Sequence, residues 1–190
     1  MRPCNTGSSS CYFDELNYPE EEITFTSLSG ELHVTKKDGV YTLNFPSDPL
    51  HETDYPDLLI KAVPKTAQYW GIGKTFFLVE LKDENEVYAL NPDISLLKQV
   101  KAAGIIITAK GTNVDFVSRV FAPQLGIDED PVTGSAHCLL IPYWSKKLGK
   151  QQLVARQISK RGGLIYCSNL GDRVLIGGKA QTFAYGKMLI

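Results

Sequence analysis

From residue 134 to residue 149 the apolar positions leave almost no polar face. Ala136, Leu139, Leu140, Tyr143 and Trp144 fall on one stripe at helical spacing, and Cys138 and Ile141 add apolar side chains on other faces. A helix apolar nearly all round belongs inside a protein. Its ends are also marked: Pro131 and Gly134 disfavour regular structure before it, Thr133 or Ser135 can cap it, Lys146 and Lys147 suit its last turn, and Gly149 suits the position after it. Pro142 removes the N–H that would bond the Cys138 carbonyl, which predicts either a local kink or a carbonyl satisfied by a neighbour.

Most of the remaining pattern has period two. Ile23 to Val34 and Val40 to Phe45 read as β-rich segments joined across Asp38-Gly39, a strong hairpin signal, with Leu32, Val34, Tyr41, Leu43 and Phe45 alternating inward. Further strands are predicted at Lys74–Leu81, Ile105–Thr108, Val114–Phe121, Leu153–Ile158, Leu164–Cys167, Val174–Ile176 and Gln181–Leu189, with helices at Leu58–Val63 and Ser95–Ala103. Met1–Ser10 is rich in turn formers, and disorder or poor packing is expected there. Strands outnumber helices, so the expected class is α+β, with an antiparallel sheet curled around one central helix.

Composition changes this picture little. The 190 residues are 43% hydrophobic and 22% charged, and the net charge of −1 carries no bias toward nucleic acid or anionic membrane. Cys4, Cys11, Cys138 and Cys167 form no C-x-x-C pair, which argues against structural zinc; a cysteine in the buried helix fits a reducing, cytoplasmic setting. Gly71-Ile72-Gly73-Lys74-Thr75 ends like a phosphate-binding loop, but Gln68 stands where that loop needs its first glycine, and a strand follows.

Chemistry points to the start of the apolar helix. Its first amides have no partners within the helix and carry partial positive charge, so a carboxylate or phosphate can sit there. Gly134 has no side chain to block it, Ser135 adds a hydroxyl, and Asp130 stands beside the anion as a proton donor or acceptor. The alternative is that Asp130 merely caps the helix and Ser135 has no role.

Five blocks in order, Asp115–Pro123, Glu129–His137, Pro142-Tyr143-Trp144, Leu148-Gly149-Lys150 and Gln157-x-Ser159-x-Arg161-Gly162-Gly163, together resemble the phenazine-biosynthesis-like (PhzF) isomerase family, with a weaker likeness through Thr24–Leu32. The resemblance implies a diaminopimelate-epimerase-like fold of two similar halves facing each other. It also implies a cofactor-free relocation of a proton on a small carboxylic acid, with Asp130 assisting as acid/base, Gly134 and Ser135 holding the substrate carboxylate, and no cofactor or metal. On that comparison residues 1–50 read as a remnant of a first half and 51–190 as a complete second half, and a homodimer is an expected assembly. His137 reads as a hydrogen-bonded core histidine, and Arg161 as either an anion contact or an exposed turn residue.

The family's main proton shuttle, a Glu in an Asn-x-Ser-Glu-Thr segment, and the His of its Cys-Gly-His-Ala-Thr-Leu helix motif have no match here. The interval from Gly134 to Gly163, counted back from Gly30, reaches the first residue, where that helix would start. Met1–Ser10 is instead expected to be an out-of-frame read of it, since one permitted back-translation spells the motif when shifted by a base. The expected function is therefore an impaired isomerase, the alternative being a non-catalytic isoform or pseudogene product acting at most as a binding or interaction module.

Overall fold

The computed structural model describes residues 9–16, 18–27, 30–54, 56–63, 66–182 and 184. Eleven strands form one sheet in the order β1-β2-β3-β11-β10-β9-β7-β6-β5-β4, with β8 pairing on β7. They are β1 Glu22–Ser27, β2 Gly30–Lys37, β3 Val40–Pro46, β4 Tyr69–Ile72, β5 Phe76–Glu80, β6 Gly104–Lys110, β7 Phe116–Ala122, β8 Ile127–Asp130, β9 Gln152–Gln157, β10 Gly163–Asn169 and β11 Arg173–Gly178. The helices are α1 Asp57–Ala62, α2 Glu84–Ala89, α3 Ile94–Leu97 and α4 Gly134–Leu148, the last being the predicted apolar helix.

Two pairings depart from the antiparallel expectation: β5 with β6 and β7 with β9 run parallel. Each joins strands separated by a helical crossover, which returns the chain to the same end of the sheet. Of the two helices in the first crossover, only α3 was expected, as Ser95–Ala103; α2, six residues long, was not read from the sequence. Asp93 caps the amides of Ser95 and Leu96, and soon afterwards Ala103 N–H bonds the Thr75 carbonyl and draws the chain into the sheet, so the helix expected to reach Ala103 ends at Leu97. The Asp38-Gly39 turn has positive φ at both residues (51° and 73°), as a two-residue hairpin of this twist requires. Of the strand expected over Gln181–Leu189, residues 181, 182 and 184 are not in a strand, and the others lie outside the described residues. The disorder expected over the first ten residues falls mostly on 1–8, also outside them. Ser9 and Ser10 are helical and buried, leading into a π-helical turn at Cys11–Glu15.

Two apolar layers sandwich the middle of the sheet. Alternation along β7 sends Phe116 and Val120 to the α4 side and Val117 and Phe121 to the side covered by α1, α2 and α3. Strands buried on both faces explain the unbroken apolar runs of β5 and β6. Helix α4 buries Leu139, Leu140, Ile141 and Trp144 against β5–β7 and β9–β11, and each such side chain contributes roughly 2 kcal/mol. Trp144 stacks on Phe116 with ring centres 5.7 Å apart, and its indole N–H donates to Thr108 Oγ1 at 3.0 Å. The Cys138 carbonyl, orphaned by Pro142, accepts the Asp48 backbone N–H at 2.9 Å. The segment after β3 is thereby fastened to the helix. Gly73, from the phosphate-loop look-alike, is needed for this packing, because a Cβ there would lie 2.3 Å from Leu139 and 2.6 Å from the Asp48 carboxylate.

Toward the C-terminal end of α4, the buried carboxylate of Glu80 accepts from the Tyr143 hydroxyl and the Lys147 ammonium. Burial and then the Glu80 carboxylate push the Tyr143 phenol well above its ordinary range, so it stays protonated as a donor. At the other end, His137 is fully buried with Nδ1 2.8 Å from the Thr133 carbonyl, the core histidine expected from the sequence. Desolvation lowers its pKa to about 4, only partly opposed by that hydrogen bond.

Two outcomes follow for stability. Lys147→Met leaves the Glu80 carboxylate buried without its cation and should cost about 2 kcal/mol in urea unfolding, while exposed Lys146→Met stays within about 0.5 kcal/mol. For His137 the folded pKa lies below the unfolded one, so the unfolded chain takes the proton first and folding weakens as pH falls from about 6.5 toward about 4. From about pH 7 to about pH 5 the native chain should lose about 2 kcal/mol more than His137→Gln; equal losses would contradict this.

Candidate functional site

The loop between β8 and α4 gathers the predicted residues. β8 is held from one side: Arg119 on β7 forms a two-pronged ion pair with Glu129, at 2.7 and 2.9 Å, and its Nη1 donates to the Leu90 and Val87 carbonyls at 2.5 and 3.2 Å. β8 pairs Ile127 with Ala122 and, after a register shift, Asp130 with Val120, where the strand ends. The chain then turns through Pro131 and Val132 and enters α4 at Gly134 with Thr133 as the capping residue.

Gln157, the last residue of β9, holds this turn from beneath. It is fully buried. Its carbonyl oxygen accepts the Thr133 backbone N–H at 2.8 Å, and its amide donates to the Asp130 carbonyl at 2.6 Å and to Thr133 Oγ1 at 3.3 Å. The Thr133 hydroxyl in turn donates to Asp130 Oδ2. The usual job of such a hydroxyl is to accept an amide of the first helical turn, yet Thr133 makes no side-chain cap. The amides of Gly134, Ser135 and Ala136, which precede the first bonds within the helix, are thus left without a side-chain acceptor among the described residues. A Cβ built on Gly134 meets nothing within 4 Å, so the helix start opens onto free space.

The sequence had offered two readings of Asp130, cap or neighbour of an anion. Its carboxylate does not cap α4; Oδ2 takes the Thr133 hydroxyl, and Oδ1 has no hydrogen-bond partner among the described residues. Asp130, Gly134 and Ser135 are all half-buried. They stand together at one end of the helix, but they do not line the open depression beside them, whose wall is Glu129, Pro131, Ser159, Lys160 and Arg161. Arg161 is exposed.

The glycines of the Arg161-Gly162-Gly163 block serve the turn. Gly162 has φ +65°, and a Cβ on Gly163 would lie 2.7 Å from Val132. Ser159 Oγ donates to the Pro131 carbonyl at 2.8 Å and accepts the Gly162 N–H at 3.0 Å, tying the two loops together. Cys138 and Cys167 are free thiols that burial pushes up to about 12, so neither offers a thiolate at neutral pH. The residues that sequence reasoning passed over are Gln157, Arg119 and Glu129. Gln157 lies next to the end of the expected Leu153–Ile158 strand and Arg119 inside the expected Val114–Phe121 strand, where an inward polar side chain breaks the apolar alternation, and that was the available signal.

Comparison with known proteins agrees with this architecture. The family model for phenazine biosynthesis-like proteins (PhzC-PhzF) matches residues 5–186. An uncharacterized isomerase of Halalkalibacterium halodurans is 42% identical over 174 residues, which are 90% of this chain and 66% of that protein. One from Pseudomonas aeruginosa is 42% identical over 178 residues, 93% of this chain and 67% of that protein. The crystal structure of a PhzF-family protein from Enterococcus faecalis superposes with a TM-score of 0.92 at 41% identity, covering 97% of this chain and 71% of that one. The chain therefore spans about two thirds of the length of the relatives it matches. In sequence and in fold, the chain belongs to the phenazine biosynthesis-like protein family.

Proposed function

We propose that this chain carries the carboxylate-binding half of a cofactor-independent isomerase site, in which the amides of Gly134 and Ser135 seat a small carboxylic acid and Asp130 moves a proton beside it. The observation that supports this best is the missing cap. A polar hydroxyl one residue before the helix is committed to Asp130, and a glycine opens the first turn to space, so the positive end of α4 is free for an anion.

In this reading Ser135 adds a hydroxyl to the two amides, and charge on the bound carboxylate is met by the helix end rather than by a cation. Asp130 Oδ2 is anchored by Thr133, which leaves Oδ1 as the atom that accepts or delivers the proton. Exchange at a carbon next to the carboxylate needs a second group on the opposite face. The family's glutamate and first-helix histidine motifs have no counterpart in this sequence, and turnover by this chain alone is therefore slow. The seat is open on one side, as a surface closed by a facing half would be, and self-association into a homodimer is one way to cover it.

The test is a titration of the chain with a panel of small carboxylates, following backbone amide shifts, with solvent deuterium uptake into each compound measured in parallel. Saturable shifts centred on Gly134 and Ser135 are expected. Gly134→Ala, whose methyl has room in the protein but projects into the seat, should keep the fold and weaken binding at least about tenfold. Asp130→Asn should keep binding and lower any deuterium uptake about 100-fold or more. Shifts that spread over the surface and ignore Gly134→Ala would refute the seat.

A further inference from the structure

We infer that Gln157 is a positioning residue which decides where the Thr133 hydroxyl points, and so both orients the Asp130 carboxylate and keeps the start of α4 uncapped. The inference rests on the proposed seat only for its meaning; the geometry stands on its own. Gln157 is wholly buried at the end of β9, a strand whose other inward residues, Leu153 and Ala155, are apolar. An amide in that place costs free energy unless every bond is made. It makes them all to one short segment: Asp130 carbonyl, Thr133 N–H and Thr133 hydroxyl.

The consequence lies in the hydroxyl's inventory. It has one hydrogen and two acceptor positions. The hydrogen goes to Asp130 Oδ2, and one acceptor position takes the Gln157 amide. The hydroxyl's second acceptor position stays open among the described residues, but turning it under the Ser135 and Ala136 amides would break the bonds to Asp130 Oδ2 and to the Gln157 amide. Remove Gln157 and the ordinary capping geometry becomes the better alternative, because an N-cap hydroxyl bonds the second or third helical amide. Asp130 would then lose its anchor in the same movement.

Acetate serves as the probe, with binding read at the Gly134 and Ser135 amides of the full chain and the Thr133 side-chain torsion read from scalar couplings to Cγ2. Gln157→Met should change the Thr133 rotamer and weaken acetate about five- to tenfold. Adding Thr133→Val, which removes the hydroxyl that would cap, should restore native acetate affinity. A purely structural role for Gln157 predicts that the double variant binds no better than the single one, and that result, or an unchanged rotamer in Gln157→Met, overturns the inference. If the native chain does not bind acetate, the seat fails while the rotamer measurement still decides the role of Gln157. If Gln157→Met does not fold, Gln157→Glu, which keeps an acceptor for the Thr133 N–H but lacks the amide N–H donors to the Asp130 carbonyl and the Thr133 hydroxyl, decides it: the Thr133 rotamer should change, and an unchanged rotamer overturns the inference.

Discussion

One hydroxyl group carries the chemistry of this fold. Thr133 stands where a residue normally closes the positive end of a helix, and its oxygen is occupied instead by a carboxylate on one side and a buried amide on the other. A fifteen-residue helix with its last turn capped by Gly149 and its first turn left uncapped is an electrostatically unbalanced element. The imbalance is tolerable because the helix is held by everything else: apolar packing along its length, the Asp48 amide on its orphaned carbonyl, and the Glu80 carboxylate near its far end.

The sheet exists to hold that helix and to bring β8, β9 and the α4 start to one place. Parallel pairing of β7 with β9 matters here, since it sets Ser118 beside Gln157 and so puts the end of β9 next to the part of β7 that pairs with β8. Arg119, on the opposite face of β7 from Ser118, reaches Glu129, and Gln157 reaches Asp130 from the α4 side. Asp130 is thus gripped through its neighbour's side chain above and through its own carbonyl below. The hairpins β2–β3 and β10–β11 lie side by side and join through β3 and β11, so β1–β3 share a continuous sheet with the later strands.

Local signals in the chain were easy to read, and long-range ones were not. Apolar spacing from Ala136 to Trp144, with Gly149 after it, was enough to define α4, and Asp38-Gly39 to define a turn with two positive φ angles. Pro142 foretold an orphaned carbonyl but not that Asp48 would satisfy it, because nothing local links residues 48 and 138. The parallel pairings were missed for the same reason: strand direction depends on which strands pair across a crossover, and nothing local links β5 to β6 or β7 to β9. Within the site, Asp130, Gly134 and Ser135 announced themselves through a helix start and a family likeness. Gln157 stood in a family block and on the inward row of Leu153 and Ala155, but its bonds to residues 130 and 133 cross from one element to another and nothing local foretold them.

The central claim is that the amides opening α4 are vacant acceptors of a carboxylate because the Thr133 hydroxyl belongs to Asp130. A crystal structure of the chain grown in a small carboxylate tests it most directly. The account predicts a carboxylate with its oxygens about 3 Å from the Gly134 and Ser135 nitrogens, and Thr133 Oγ1 still on Asp130. Thr133 Oγ1 found instead on the Ser135 or Ala136 amide, with no anion at the helix start, would contradict it.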